Sequence, residues 1–199
     1  MSDNPPPLNI LAFAGSLRSN SYNRRLVRAA AGAAPAGLLL TVHDTIADIP
    51  LFDEDLEAAD PAGPAGVKRL RAAIASADGV LIATPEYSQS LPGVLKNTLD
   101  WLSRDDAEYR TVLSAKPVAI IGATPGHWGT KLAQSQLRHT LTAMGALTMA
   151  SPQLYVAEAA AAYDDDAEDF DAPTRKRLQR FLEGFQSWVQ LLQGGASRA

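Results

Sequence analysis

The chain contains no cysteine among its 199 residues, so it cannot form a disulfide, a thiolate metal site or a cysteine nucleophile. Histidine is also scarce. His43, His127 and His139 are the three present, and their spacing does not match that of metal ligands. We therefore expect no metal centre.

The sequence also lacks an excess of positive charge. Its formal net charge is -4 and its pI is about 5.3, which argues against a broad surface for nucleic acid or an anionic membrane. No apolar run reaches the roughly 18 residues that a membrane span needs. Residues 1–7 are polar and proline-rich rather than basic and then apolar. We expect a cytoplasmic protein with a disordered tail over residues 1–7, no nucleic-acid partner and no membrane insertion.

What is present is a regular alternation of apolar runs and helical patterns. The length and a hydrophobic content of 46% suit one domain over residues 1–199. The pattern predicts strands at residues 8–14, 38–43, 79–84, 118–122 and 147–150. It predicts one helix that begins near residue 23, three helices over residues 67–77, 93–102 and about 128–144, and a last helix that follows residues 171–173. Such alternation is typical of an α/β protein whose parallel sheet is covered by helices on both faces.

Three other segments carry expectations. The connection 45–64 is predicted to be long and irregular, and loops of that kind are commonly functional or form interfaces. The acidic run 164–169 is predicted to be a solvated loop that stabilises the next helix at its N-terminus. In the helix 128–144, Leu132 and Leu137 are expected to face the core.

The segment Gly15–Asn23 links the first predicted strand to the first predicted helix. A helix N-terminus leaves backbone N–H groups unpaired, so the hydroxyls, amide and arginine of this segment suit a phosphate dianion. With one glycine and no lysine it matches neither the Walker A loop nor the dinucleotide fingerprint, which favours a terminal monophosphate. The alternative is a turn that only caps the helix.

Two further loops leave the carboxyl ends of predicted strands, at residues 84–92 and 123–130. In open parallel sheets, ligands bind outside the carboxyl ends of the strands. All three loops are rich in glycine, proline, hydroxyl or aromatic residues. Their shared position predicts one binding site.

At this point the residues resemble a known family. The resemblance is carried by Gly15-Ser16-Leu17-Arg18 with Ser21 and Asn23, by Thr84-Pro85-Glu86-Tyr87, and by Leu91-Pro92-Gly93-Val94-Leu95-Lys96-Asn97 with Asp100-Trp101. These strings resemble the NADPH-dependent FMN reductases, which include quinone, chromate and azo-dye reductases, and the match runs from Ile10 to about Leu141. The resemblance implies a flavodoxin-like, doubly wound, five-stranded parallel sheet of order 2-1-3-4-5 that binds FMN noncovalently.

The resemblance also implies the cofactor-binding residues. The phosphate would be held by Ser16, Arg18, Ser21 and Asn23, with Tyr22 in the same loop. The isoalloxazine ring would be bordered by Pro85, Glu86, Tyr87 and Ser88, and its far side closed by Thr124, Pro125 and Gly126. Many relatives carry asparagine at the position of Ser88.

Some of these residues have alternative interpretations. Glu86 can act through its backbone alone, with a solvated side chain. Tyr87 can pack at a subunit interface instead of stacking on the flavin. Trp101 is expected to be a core or dimer contact.

The implied activity passes hydride from NADPH or NADH to the flavin N5 and then electrons to a small-molecule acceptor. Because the flavin carries the chemistry, no catalytic side chain is required. Quinones are the preferred acceptors, with azo compounds and metal oxyanions such as chromate as alternatives. We expect a homodimer or homotetramer. A flavodoxin-like electron carrier and a flavin-responsive protein are the alternatives from other functional classes.

Overall fold

A computed structural model of the chain describes residues 6–105 and 111–196. Its centre is a parallel sheet in which the strands follow the order β2-β1-β3-β4-β5, which confirms the implied fold. The strands are β1 Leu8–Ala14, β2 Leu38–Val42, β3 Gly79–Ala83, β4 Pro117–Ala123, β5 Leu147–Thr148 and β6 Leu154–Val156. Of the predicted disordered tail, residues 1–5 lie outside the described residues, while Pro6 and Pro7 are exposed.

The predicted fifth strand, 147–150, is shorter than expected, and a second short strand that was not predicted follows it. β5 pairs with the beginning of β4, through Leu147 and Pro117, and β6 pairs with its end, through Val156 and Ala123. The edge of the sheet is therefore completed by two segments. The second segment brings residues 154–156 beside the carboxyl end of β4, where ligands bind in such sheets.

Helices cover both faces of the sheet. They are α1 Tyr22–Gly32, α2 Glu54–Ala59, α3 Ala65–Ser76, α4 Gly93–Leu102, α5 Lys131–Ala143, α6 Ala159–Ala162 and α7 Ala172–Ala196. α1 and α7 share one buried apolar cluster, and α3, α4 and α5 share the other. The central strands β3 and β4 are buried at every residue, which explains why they read as continuous apolar runs.

Three segments differ in detail from the expectation. The connection 45–64 contains α2, whose N-terminus is capped by Asp53, accepting from the Asp55 N–H at 2.9 Å. Leu132 is 45% exposed and lies at the first turn of α5 instead of in the core. The acidic run forms part of a hairpin, β7 Tyr163–Asp164 and β8 Asp169–Phe170.

That hairpin is anchored by contacts from distant parts of the chain. Phe170 is buried, and its ring lies 5.0 Å from that of Tyr163. Arg25 on α1 forms an ion pair with Asp165 at 2.8 Å and lies over the Tyr163 ring at 4.2 Å. The acidic side chains therefore attach the hairpin to α1 in addition to facing solvent.

Asp171 caps α7 and should make the stability of the protein dependent on pH. Its Oδ1 accepts from the Thr174 N–H at 2.8 Å, and hydrogen bonds from the Thr174 hydroxyl and backbone hold the Asp171 pKa below its usual value. We expect Asp171→Ala to reduce the free energy of unfolding by about 1 kcal/mol at neutral pH. Because the folded pKa is lowered, this contribution is complete above the unfolded pKa of about 3.9 and disappears as pH falls through the folded pKa.

Urea unfolding at pH 7 and at a series of lower pH values measures how much unfolding free energy Asp171 contributes. Asp171→Asn keeps an acceptor at the cap but has no carboxyl to titrate, so it should lose less stability than the alanine variant and lack this acid-dependent contribution. Equal unfolding free energies for the wild type and Asp171→Ala at pH 7 would contradict the assignment.

Candidate functional site

The three predicted loops meet at the carboxyl edge of the sheet. We refer to residues 15–21 as the first loop, 84–92 as the second and 123–130 as the third. The first loop is joined to β3, because the Gly15 N–H donates to Ala83 O at 2.8 Å. The second is joined to β4, because the Thr84 N–H donates to Ile121 O at 2.9 Å. The predicted cofactor-binding residues thus lie on adjacent, hydrogen-bonded segments.

The first loop has the features of a phosphate cradle. Ser16 and Ser21 are buried, and Ser21 Oγ caps α1 by accepting from the Asn23 N–H at 3.2 Å. The first turn of α1 contains no acidic residue of its own, and the nearby Asp165 carboxylate is paired with Arg25, so the positive end of the helix dipole can attract a phosphate. Capping and phosphate binding are therefore compatible here.

Arg18 lies exposed on the same loop. Its Nη2 donates to Asn20 O at 2.7 Å, and its guanidinium lies 5.9 Å from the centroid of the Tyr22 ring. A guanidinium has five N–H donors, so this hydrogen bond orients Arg18 and leaves other donors for a phosphate.

Asn23 forms a bridge across the site. It is 2% exposed; its Nδ2 donates to Ala123 O, and its Oδ1 accepts from the Ala123 N–H, both at 2.9 Å. This pair of hydrogen bonds fixes α1 against the end of β4. A direct contact from Asn23 to phosphate stays a prediction, and it would use the second N–H of Nδ2.

The second loop turns sharply after β3. Tyr87 and Ser90 exchange backbone hydrogen bonds of 3.1 and 2.9 Å around Ser88 and Gln89, whose φ angles are 50° and 60°. A two-residue turn with positive φ at both central positions is of type I′, which favours asparagine, aspartate and glycine. An asparagine at position 88 would therefore suit the backbone of this turn.

Glu86 has a defined structural role. Its Oε2 accepts from the backbone N–H groups of Leu132 and Ala133 at 2.9 and 3.0 Å. These groups lie in the first turn of α5, whose N-cap residue Thr130 makes no side-chain cap hydrogen bond. The interpretation of Glu86 as a solvated side chain was therefore wrong, because Glu86 joins the second loop to α5.

The third loop is held by backbone hydrogen bonds. The Thr124 N–H donates to Val156 O, and Thr124 O accepts from the Ala159 N–H, both at 3.0 Å. Pro125 and Gly126 are exposed at the edge of the site. The short strand β6, which the sequence did not reveal as a separate element, thus helps to position this loop.

The segment 49–53 is fixed from α4. Asn97 Nδ2 donates to Pro50 O at 2.8 Å, Asn97 Oδ1 accepts from the Phe52 N–H at 2.7 Å, and Trp101 Nε1 donates to Pro50 O at 2.9 Å. Trp101 is 1% exposed, so it belongs to the core of its own chain. Leu51, between the fixed residues, is 81% exposed.

Several large apolar and aromatic side chains are exposed on and around these loops, among polar ones. Large exposed hydrophobic side chains on the three loops and their neighbours are Leu17, Leu51, Tyr87, Trp128 and Leu132. A phosphate cradle beside apolar and aromatic side chains suits a flat molecule with one phosphate group. In the described ranges 6–105 and 111–196, no group of three or more histidine, aspartate or glutamate residues could hold a metal ion. Across these same ranges, no helix is long and apolar enough to cross a membrane.

Comparison with known proteins identifies close similarities. A family model described as NADPH-dependent FMN reductase matches residues 8–161. The chain is 39% identical over 194 residues to the NAD(P)H-dependent FMN reductase of Pseudomonas aeruginosa, covering 98% of this chain and 100% of that protein. It is 39% identical over 183 residues to a quinone reductase of Pseudomonas putida, covering 92% and 95%.

A solved structure is similar throughout its length. The flavoenzyme NAD(P)H:(acceptor) oxidoreductase from Paracoccus denitrificans is 35% identical, with a TM-score of 0.81 and coverage of 92% of this chain and 97% of that chain. The agreement extends from the sequence motifs to the whole backbone.

Proposed function

Because the chain belongs to the NADPH-dependent FMN reductase family, we propose that it transfers hydride from NADPH or NADH to bound FMN and then electrons to a quinone-like acceptor. It is an NAD(P)H-dependent oxidoreductase and uses FMN as its cofactor. The non-enzymatic alternatives, an electron carrier and a flavin-responsive protein, do not agree with this membership. We also propose a cytoplasmic location, where reduced nicotinamides are available.

The observation that carries the proposal is that the three loops meet at one edge of the sheet, where each is hydrogen-bonded to a neighbouring strand. Bound FMN would supply the hydride and electron transfer itself. The first loop would hold its phosphate through Ser16, Arg18 and Ser21, beside the N-terminus of α1, whose first turn contains no acidic residue. The second loop would border the ring with backbone N–H groups other than those of Tyr87 and Ser90, which donate to each other's carbonyl oxygens, and the third loop would close the far side.

The acceptor class is inferred from the relatives and from the surface. Besides the enzyme of Pseudomonas putida, a 2-hydroxy-1,4-benzoquinone reductase of a Burkholderia species is 38% identical over 183 residues. Exposed Tyr87 and Trp128 offer aromatic surface beside the site, which suits a flat acceptor.

Anaerobic stopped-flow measurements test the proposal. The FMN-loaded protein is mixed with NADPH or NADH, and loss of flavin absorbance measures the first half-reaction. The reduced protein is then mixed with a benzoquinone, an azo dye or chromate. Rapid bleaching followed by rapid reoxidation with the quinone is expected, whereas bleaching without reoxidation by the quinone would refute the acceptor class.

We further propose that the protein assembles as a homodimer or homotetramer. The α4 residues Leu95, Leu99 and Trp101 contribute nothing to such an interface, because they are buried within their own chain. The proposal now rests on the segment 49–55, where Leu51 lies 81% exposed on a backbone fixed by Asn97. A second copy of the chain that met this segment would bury the large exposed area of Leu51.

Sedimentation velocity at micromolar concentration should show an oligomer for the wild type and a shift toward the 21.1 kDa monomer for Leu51→Asp. Leu39→Asp is the matched control, since Leu39 is also exposed, at 52%, but lies on β2. A wild-type protein that sediments only as the 21.1 kDa species would remove the proposal.

A further inference from the structure

The second loop is attached to α5 at two points. Near β3, Glu86 accepts hydrogen bonds from the Leu132 and Ala133 N–H groups. At the turn, Gln136 Nε2 donates to Gln89 O at 3.1 Å, and Gln136 Oε1 accepts from the Ser90 hydroxyl. Residues four apart, such as 132 and 136, lie on one side of a helix. The segment 86–90 is therefore held along one side of α5.

The attachment at Glu86 supplies what α5 lacks at its own N-terminus. Thr130 makes no side-chain cap, and no acidic residue lies in the first turn of the helix. The Glu86 carboxylate provides an acceptor for two N–H groups and a negative charge at the positive end of the helix dipole. Since α5 follows the third loop, this charge lies at the edge of the sheet that carries the site.

The attachment at the turn constrains an unfavourable backbone. Ser88 and Gln89 both adopt the left-handed region, for which serine and glutamine have no special preference. Such a conformation persists where the surroundings fix it. The hydrogen bonds of Gln136 to both sides of the turn provide that constraint.

We propose that Glu86 and Gln136 are positioning residues for the reaction. Together they hold the backbone N–H groups of the second loop toward the flavin ring, and the charge of Glu86 sets the balance between oxidised and reduced FMN. Reduction of a flavin develops negative charge at the pyrimidine edge of its ring. The Glu86 carboxylate opposes that charge and offsets the favourable dipole of α5. This inference rests on the proposed function.

Three variants separate the two roles. Glu86→Gln keeps an oxygen acceptor and removes the charge, Glu86→Ala removes both, and Gln136→Leu removes only the attachment at the turn. Glu183→Gln is the matched control, because Glu183 is exposed on α7, away from the three loops. For each protein, fluorescence titration gives the Kd of oxidised FMN, dye equilibration gives the reduction potential, and thermal unfolding gives the stability.

We expect Glu86→Gln to bind oxidised FMN almost as tightly as the wild type and to favour reduced FMN about fivefold more. That ratio corresponds to a potential about 20 mV more positive for a two-electron couple. Glu86→Ala should show the same direction of shift and, in addition, bind oxidised FMN about tenfold more weakly. Gln136→Leu should weaken binding of both redox forms and leave the potential at the control value.

An unchanged potential in Glu86→Gln would overturn the charge role. Wild-type FMN affinity in Gln136→Leu, with only a lower unfolding temperature, would show that the attachment at the turn is merely structural. If Glu86→Ala does not fold, the other two variants still decide both points. A wild-type protein that fails to bind FMN would overturn the proposed function, whereas wild-type binding with unaltered variants would overturn this inference alone.

Discussion

Replacing Arg18 by alanine is expected to weaken FMN binding about 10- to 150-fold, because it removes a charge-assisted hydrogen bond to phosphate worth about 1.5 to 3 kcal/mol. Arg18 is exposed on the first loop and oriented by its hydrogen bond to Asn20 O and by the Tyr22 ring. The start of α1 contains no acidic residue, so Arg18 adds to the attraction of the helix N-terminus for an anion.

Flavin titrations with matched ligands and variants isolate this contact. Riboflavin lacks the phosphate, so its affinity should change little in Arg18→Ala. Arg18→Lys keeps the charge without the planar fork and should lose an intermediate amount. Arg28→Ala, which removes an exposed arginine from the body of α1, is the control. Equal losses of riboflavin and FMN affinity would refute the phosphate assignment.

The parts of the fold that could be predicted from the sequence are those in which burial produces a clear pattern. β3 is buried along its whole length and reads as an apolar run, and α4 has the predicted bounds because its apolar residues repeat at helical spacing. α2 was missed because it is six residues long and has no buried residue, so it has no apolar face to detect. The β7–β8 hairpin depends on contacts such as Arg25 with Asp165, which the local sequence does not encode.

The site was predictable as a set of loops but not as a set of side-chain partners. Motif positions placed Glu86 and Asn23 at the cofactor, yet Glu86 bonds to Ala133, 47 residues away, and Asn23 to Ala123, 100 residues away. Those partners become adjacent only when β3 and β4 pair. Gln136 was missed because its partners are also distant in sequence. A polar residue on an amphipathic helix usually faces solvent, so a contact from Gln136 was not expected. The one feature of the sequence that could have indicated the role of Gln136 is its position about one turn after the start of α5.

Gly122→Ala is expected to reduce the free energy of unfolding by about 3 kcal/mol, near the upper end for overpacked sites, and to weaken FMN binding. A Cβ on Gly122 would lie 2.0 Å from Thr130 Oγ1 and 2.6 Å from Thr84 O. Thr130 is fully buried, and its Oγ1 could move away only by losing the hydrogen bond that it accepts from Gln134 Nε2. Thr84 O belongs to backbone that is fixed by the hydrogen bond from Thr84 N–H to Ile121 O. Relief therefore requires β3 and β4 to separate where the second loop begins.

Urea unfolding and FMN titration measure the two consequences, with Gly32→Ala as the matched control. Gly32 lies in the last turn of α1 with no atom within 4 Å of its added Cβ, so alanine there should be neutral or stabilise by up to about 1 kcal/mol. Adding Thr130→Ala to Gly122→Ala removes the contact with Oγ1 but not the contact with Thr84 O, and so should restore only part of the stability. Full restoration of stability in the double variant would show that the Thr130 side chain alone causes the clash. An unfolding free energy of Gly122→Ala within about 0.5 kcal/mol of the wild type would show that the edge of the sheet tolerates a side chain at position 122.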